Sequence, residues 1–244
     1  MADRSISLIM PAFNEAATIE FSVRSAIEKL EEHGFDYEIF IFDDGSNDKT
    51  GEIADELAVE NPNIKVIHNP KNMNLGYNFA RGIELASKKY AGLLPCHGQT
   101  AVESFDYILP ALKKADVVVT YHSNPEVRPL VRNIISRINV RLVNFLFGLN
   151  LRYYHLNFYR TDILKRVPTS TESYALMVEL LVFAVKSGAS YVHVPLFLKK
   201  RGFGKSKAMR PKNIINILKT YARLFWRIRI LRERIDLGKE RRNE

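Results

Sequence analysis

The chain has 244 residues, 46% of them hydrophobic, which is enough to bury a full core in one large α/β domain or two small ones. A single cysteine, Cys96, excludes a disulfide framework and is compatible with a reducing compartment, and no apolar run reaches the roughly 18 to 20 residues that cross a bilayer. The net charge of +9 is lopsided: residues 199–244 hold 16 Lys or Arg against 4 Asp or Glu, so the rest of the chain is slightly acidic and one end calls for an anionic partner.

Residues 5–10 and 37–42 read as strands, with a helix over 16–32 carried by Ile19, Val23, Ile27 and Leu30 between them. The first strand runs into Pro11-Ala12-Phe13-Asn14-Glu15, the second into Asp43-Asp44-Gly45-Ser46-Asn47-Asp48. An apolar run ending in carboxylates is a buried parallel strand that delivers charge to the carboxyl edge of a sheet, where open α/β sheets bind ligands. Ser46 or Asn47 can cap a second helix ending near Asn61-Pro62, followed by a strand over 64–67. Then come a helix over 75–90, a strand over 91–94, a helix over 103–114 and a strand over 116–120. This alternation predicts a doubly wound, mainly parallel, Rossmann-like sheet.

The second half begins with a long helix from Pro129, with Leu130, Ile134, Ile138, Leu142 and Phe145 on one stripe, ending near Gly148. A strand over 153–159, a helix over 173–187 stopped by Gly188 and a strand over 191–198 follow. These elements make one domain, 1–210, and a tail, 211–244. In the tail Ile217, Leu218, Tyr221, Leu224, Phe225, Ile228, Leu231 and Ile235 recur at helical spacing, with Lys219, Arg223, Arg227 and Arg234 between them. Such a basic amphipathic helix can lie in the interface of an anionic bilayer, or pack its stripe on the domain or on a second subunit; both readings are open.

The two strand ends are PxFNE-like and DDGS-like. Together with Asn74-Leu75-Gly76-Tyr77-Asn78-Phe79-Ala80-Arg81-Gly82 they resemble family 2 of the GT-A glycosyltransferases. The late segment Arg201-Gly202-Phe203-Gly204-Lys205-Ser206-Lys207 is similar to the RxxGxSK-like segment of the polyprenyl-phosphate sugar synthases, the dolichyl-phosphate mannose type, within that family. The resemblance implies a GT-A fold with a donor half over 1–100 and an acceptor half over 101–210. It implies transfer of a sugar from a UDP- or GDP-type nucleotide-sugar donor to a polyprenyl phosphate, peripherally on the cytoplasmic face of an anionic membrane. By resemblance Pro11, Phe13, Glu15, Asp43, Asp44 and Gly76 belong to the donor site and Arg81 faces the donor diphosphate. The carboxylates suit this role because they accept hydrogen bonds from a base N–H or ribose hydroxyls. Taken alone, residues 43–46 also read as a turn and helix cap.

One segment departs from the family. Where its members carry a metal-binding DxD and a nearby Gln, this chain reads Pro95-Cys96-His97-Gly98-Gln99. A DxD pair holds Mg²⁺ or Mn²⁺ between the donor phosphates; here His97 and Gln99 are the candidate ligands, and imidazole suits Mn²⁺ better than Mg²⁺. Three outcomes are open: a weakened metal site, a metal-free enzyme, or a fold retained without catalysis as a binding or scaffold protein.

The acceptor side rests on Arg128, before the long helix, and on Arg132 and Ser136, four apart on one face of it. The polyprenyl-phosphate synthases have a comparable Arg and Ser that bind the lipid phosphate, and Arg201 and Lys205 complete the implied acceptor pocket. A phosphate monoester has its second pKa at about 6 and needs no general base. A sugar hydroxyl does, and Glu172 and Glu179 are the nearest candidates, Glu179 reading rather as structural. The predicted chemistry is one in-line displacement with inversion, with Arg132, Ser136, Arg201 and Gln99 as the catalytic set. A hydroxyl acceptor is the alternative. Nucleic acid is excluded as a partner because Asp43 and Asp44 would repel its phosphates, and the oligomeric state stays open.

Overall fold

The computed structural model describes residues 4–153, 156–171, 173–199 and 211–237. The segment carrying Arg201 and Lys205, and Glu172, lie outside the described residues.

Strands β1 (Ser5–Ala12) and β2 (Asp36–Asp43) are the two apolar runs of the amino-terminal half; β1 is buried along its whole length. They pair in parallel, β2 continues to β3 (Ile64–His68), and β1 pairs on its other side with β4 (Tyr90–Leu93). The short β6 (Phe158–Arg160) runs antiparallel to both β4 and β5 (Val117–His122), and β7 (Tyr191–Leu196) is parallel to β5. The seven-stranded order is therefore β3-β2-β1-β4-β6-β5-β7, with β6 alone reversed. Every other strand points its carboxyl end to one edge, so the loops after β1, β2, β3, β4, β5 and β7 share that edge. The doubly wound, mainly parallel α/β reading holds.

Several element limits differ from expectation, each for a local reason. Helix α1 (Ile19–Glu32) starts three residues later than its apolar spacing suggests. Residues 15–18 are held in a turn instead, with the Thr18 and Ile19 N–H groups both on the Glu15 carbonyl and the Glu15 N–H on Thr50 Oγ1. Helix α2 spans Thr50–Glu60 and α3 spans Leu75–Leu85, short of residue 90. A buried carboxylate in β2 ends it: Glu38 Oε1 accepts the Ser87 N–H at 2.6 Å and hydroxyls from Ser7 and Ser87 at 2.7 and 2.9 Å. Burial pushes the Glu38 pKa up, and these hydrogen bonds, with the charge of Lys65, more than reverse it, leaving it below the usual range.

Helix α4 (Phe105–Ala111) follows a 3-10 turn, Val102–Ser104. The long helix α5 spans Leu130–Phe147 and ends on Gly148 in the left-handed conformation, φ 60. Its predicted apolar stripe does not face the core. Val143 and Phe147 are buried, whereas Leu130, Ile134, Ile138 and Phe145 are exposed, Phe145 by 84%. Helix α6 (Thr161–Arg166), unforeseen, follows β6 directly. Helix α7 (Leu176–Lys186) is buried almost all round, as its run of Leu, Val and Phe requires.

The tail forms α8 (Pro211–Phe225), continued by a π-helical turn, Trp226–Ile230. The helix stops there, because Arg232 adopts φ 55. Tyr221, Leu224 and Ile228 pack on the domain, leaving Ile215, Leu218, Trp226 and Ile230 exposed.

Candidate functional site

The loops after β1 and β2 are sewn together by backbone groups meeting side chains. The Asn14 N–H donates to Ser46 Oγ (3.0 Å), the Asn47 N–H to Asn14 Oδ1 (2.8 Å), the Glu15 N–H to Thr50 Oγ1 (2.8 Å) and the Ala16 N–H to Asp48 Oδ2 (3.2 Å). Asn14 can take part because it sits at φ 55, a region Asn tolerates better than most residues. Asp48 also accepts both the N–H and the hydroxyl of Thr50. Burial opposes ionisation of Asp48, and this set of donors outweighs it, so its pKa lies below the usual range. The sequence did not single out Asp48 or Thr50 for this role; its cap candidates were Ser46 and Asn47.

Asp43 and Asp44 are 8% and 3% exposed and differ in what they hold. Asp43 Oδ1 accepts the Ser46 N–H at 3.0 Å, and its Oδ2 meets His68 Nδ1 at 3.1 Å. Asp44 turns toward the loop after β3, where its Oδ1 accepts Asn69 Nδ2 (2.9 Å) and the Met73 N–H (2.7 Å), and its Oδ2 accepts the Asn74 N–H (3.1 Å). The same loop packs under Gly45. A Cβ there would lie 2.7 Å from the Lys71 backbone, and φ is 73, so only glycine fits. Asn69 links on to the buried Asn78 at 2.6 Å, drawing the start of α3 into the set. Pro11 and Gly76 are buried, Phe13 and Glu15 half-buried, and Arg81 is exposed on α3.

The loop after β4 is fastened to α1. The Cys96 carbonyl accepts the hydroxyls of Thr18 (2.7 Å) and Ser22 (3.2 Å), and the Cys96 N–H donates to the Pro11 carbonyl (3.1 Å). His97 Nδ1 accepts the Gln99 N–H at 3.2 Å. Beyond it, Thr100 bridges Leu198, and the Lys199 N–H donates to the Gln99 carbonyl at 2.7 Å. Asn124, after β5, clasps the Leu198 backbone from the other side at 2.7 and 2.9 Å. The end of β7 thus ties the β4 and β5 loops together.

At the end of β5, a neutral His122 stands beside two arginines. Burial first, then the charges of Arg128 and Arg132, push its imidazole down to about 3. Arg128, Arg132 and Ser136 are all half-buried, unlike Arg137 and Arg141 further round α5, which are exposed. His122 was missed in the sequence because a lone histidine at a strand end carries no signal of its own.

Glu179, the carboxylate of α7, is fully buried and is taken up by the Ser170 N–H and hydroxyl (2.9 and 2.5 Å) and by Arg227 Nη1 (3.2 Å). It is structural, as its sequence context implied. Another group of potential metal ligands, Glu32, His33 and Asp106, lies at the carboxyl end of α1, at the opposite edge of the sheet. There Lys29 Nζ binds Asp106 (2.9 Å) and Glu32 (2.7 Å), which makes it an ion-pair network.

Comparison with known proteins bears on the family and the fold. The profile described as Glycosyl transferase family 2 matches residues 7–172. The polyprenol monophosphomannose synthase of Mycolicibacterium smegmatis is 27% identical over 214 residues, 82% of this chain and 79% of that protein. The undecaprenyl-phosphate mannosyltransferase of Micrococcus luteus is 25% identical over 211 residues, 82% of this chain and 85% of that protein. Among solved structures, the glucosyl-3-phosphoglycerate synthase of Mycobacterium tuberculosis, in complex with Mg²⁺ and UDP, superposes with a TM-score of 0.64. At 18% identity, covering 92% of this chain and 79% of that one, it shares the fold.

Proposed function

The chain belongs to glycosyl transferase family 2, and from that membership we propose that it moves a sugar from a nucleotide-sugar donor to a polyprenyl phosphate, with inversion, at an anionic membrane surface. The observation that carries this is the joint position of two opposite charge clusters on one sheet edge. Glu15, Asp43 and Asp44 stand at the carboxyl ends of β1 and β2, and Arg128 and Arg132 follow β5, beside the neutral His122 at its end. The relatives named above, a polyprenol monophosphomannose synthase and an undecaprenyl-phosphate mannosyltransferase, support it.

In this reading residues 1–100 are the donor half. Pro11, Phe13, Glu15, Asp43 and Gly76 bind the nucleoside, and Asp44 shapes the pocket by fixing the loop over 69–74. Arg81 takes the diphosphate. Residues 101–210 are the acceptor half, in which Arg128, Arg132 and Ser136, joined by Arg201 and Lys205, grip the acceptor phosphate. Guanidinium is suited to this because it presents paired donors to phosphate oxygens.

The acceptor phosphate is already anionic at neutral pH, so its oxygen attacks the anomeric carbon without a general base. Glu179, committed to Ser170 and Arg227, is not positioned to serve as one. Rate acceleration comes from alignment and from cations placed where charge moves. The apolar outer face of α5, flanked by Arg137 and Arg141, rests on the membrane and brings Arg132 and Ser136 to the headgroup level.

The test is transfer from a panel of UDP- and GDP-sugars to a polyprenyl phosphate, with a soluble phosphate ester such as 3-phosphoglycerate and a sugar hydroxyl as competing acceptors. Labelled product on the polyprenyl phosphate supports the reading. Product on the hydroxyl acceptor instead, or none with any donor, overturns it.

A further inference from the structure

We propose that this enzyme transfers its sugar without a divalent cation at residues 95–99, and that the His97 Nε2–H donates to the departing diphosphate where a cation would otherwise stand. The inference rests on the reading of the β1 and β2 edge as a nucleotide-sugar site.

A hard cation bridging two phosphates needs charged oxygen ligands from the protein. The segment does not offer them. Pro95 has no side-chain donor atom. The Cys96 thiol is fully buried and turned to the Met10 carbonyl (3.7 Å), away from the surface a diphosphate would reach. The Cys96 carbonyl already accepts two hydroxyls, those of Thr18 and Ser22, and the Gln99 carbonyl accepts the Lys199 N–H. Gly98 contributes no side chain and sits at φ 64, its Cα turned so closely to Thr18 that a Cβ would lie 3.2 Å from Thr18 Cγ2. The adjoining Glu15 is a single carboxylate, engaged by the Thr18 hydroxyl at 3.2 Å.

His97 decides the matter by its tautomer. A backbone N–H can only donate, so the Gln99 N–H at 3.2 Å from Nδ1 requires a lone pair there. The ring is then neutral with its proton on Nε2. Metal ligation through Nε2 would demand that this proton move to Nδ1, against the Gln99 N–H. As arranged, His97 is a hydrogen-bond donor.

The balance of the step then needs no metal. An acceptor phosphate oxygen forms the new bond to the anomeric carbon, and the bond from that carbon to the donor's β-phosphate oxygen breaks. Its electron pair stays on that oxygen, and the nucleoside diphosphate departs. The Nε2–H hydrogen bond strengthens as charge collects there, and the proton remains on the nitrogen.

The experiment is calorimetric titration of the full chain with UDP and with GDP, in EDTA and in Mn²⁺, beside a ¹⁵N spectrum of the histidine rings. The expected result is the same affinity in both conditions, with His97 Nδ1 unprotonated and Nε2 protonated. His97→Phe is expected to weaken binding about tenfold, the scale of one hydrogen bond to a charged group, while His97→Gln, which keeps an N–H donor, restores most of it. Binding that appears only with Mn²⁺, or a proton on Nδ1, overturns the proposal and leaves the donor site standing. No binding of either nucleotide in any condition overturns the donor reading and this proposal with it.

Discussion

Arg227 Nη1 stands 3.2 Å from Glu179 Oε1, so the turn after α8 reaches a carboxylate of α7 with no exposed surface. The guanidinium also grips Glu233 through two nitrogens at 2.7 and 2.6 Å and lies 4.6 Å from the Phe183 ring centre. Hydrogen bonds to Glu233 first, then the nearby carboxylate charges, raise the Arg227 pKa against the effect of burial. This fastening is what turns a basic tail into part of the domain. Removing one partner of a buried pair leaves the other charge uncompensated. Arg227→Ala is therefore expected to cost about 3–5 kcal/mol of stability, read by urea denaturation, and a change below 1 kcal/mol would show that the pair contributes little.

Asp44 is expected to act on the nucleotide through the loop it holds. Its three partners, Asn69 Nδ2 and the Met73 and Asn74 N–H groups, are all donors. Asp44→Asn sets an NH₂ against them. Losing charged acceptors of this kind costs about 1.5–3 kcal/mol, and the thermal shift given by UDP or GDP is expected to vanish while circular dichroism keeps the native fold. A shift of unchanged size would separate Asp44 from the donor site.

The sequence made β1, β2 and the edge they charge easy to find, since two apolar runs both end in polar residues where a helix begins, although residues 43–46 alone also read as a turn and cap. What it hid was local competition. The end of α3 is set by Glu38, thirty-one residues after Ser7 and far from Ser87 in the chain, and no periodicity reports a buried carboxylate collecting N–H groups. The α5 stripe obeyed helical spacing and still faced outward, because spacing identifies an apolar face without saying whether protein covers it. His68 and His122 gained meaning only once β3 and β5 were placed beside carboxylates and arginines.

His68 supplies a pH dependence. Its ring bridges Asp43 Oδ2 and Asp55 Oδ1, both at 3.1 Å, and the hydrogen bond to Asp43 above all raises its pKa above 6.5. A group whose folded pKa is raised contributes stability fully below its unfolded value and loses that contribution as pH climbs through the folded value. The chain is thus expected to lose a share of its stability above pH 6.5, and His68→Gln to flatten that slope. Thermal melts of both proteins across this range check it, and parallel slopes would refute the bridge.

Arg132→Ala separates the two clusters. The residue stands with Arg128 near His122, on the helix that follows β5, and β4 and β6 separate β5 from β1 in the sheet. Nucleotide affinity is expected to stay within about twofold, while kcat/KM for the acceptor falls by roughly 30-fold or more, about 2 kcal/mol, as for truncating one member of a charge-paired contact. Equal loss of both would mean that Arg132 supports the fold or the donor.

The outer face of α5 offers the last prediction, and charge decides between its two possible occupants. Leu130, Val131, Ile134, Ile135 and Ile138 are all exposed, Ile138 by 57%. Neither α5 nor α8, hydrogen-bonded to it through Tyr221 and Asn139 at 2.8 Å, carries a single Asp or Glu. A second copy docking this face on itself would bring Arg137 and Arg141 against their own kind, which is unfavourable. An anionic bilayer accepts both the apolar residues and the arginines, at about 1 kcal/mol for each basic residue near the surface. Ile138→Glu, at an exposed position, is expected to leave the melting temperature unchanged and to weaken sedimentation with vesicles of phosphatidylcholine and phosphatidylglycerol about tenfold. Wild-type protein that ignores such vesicles but dimerises through this face, with Ile138→Glu dissociating the dimer, would assign the surface to a second copy instead.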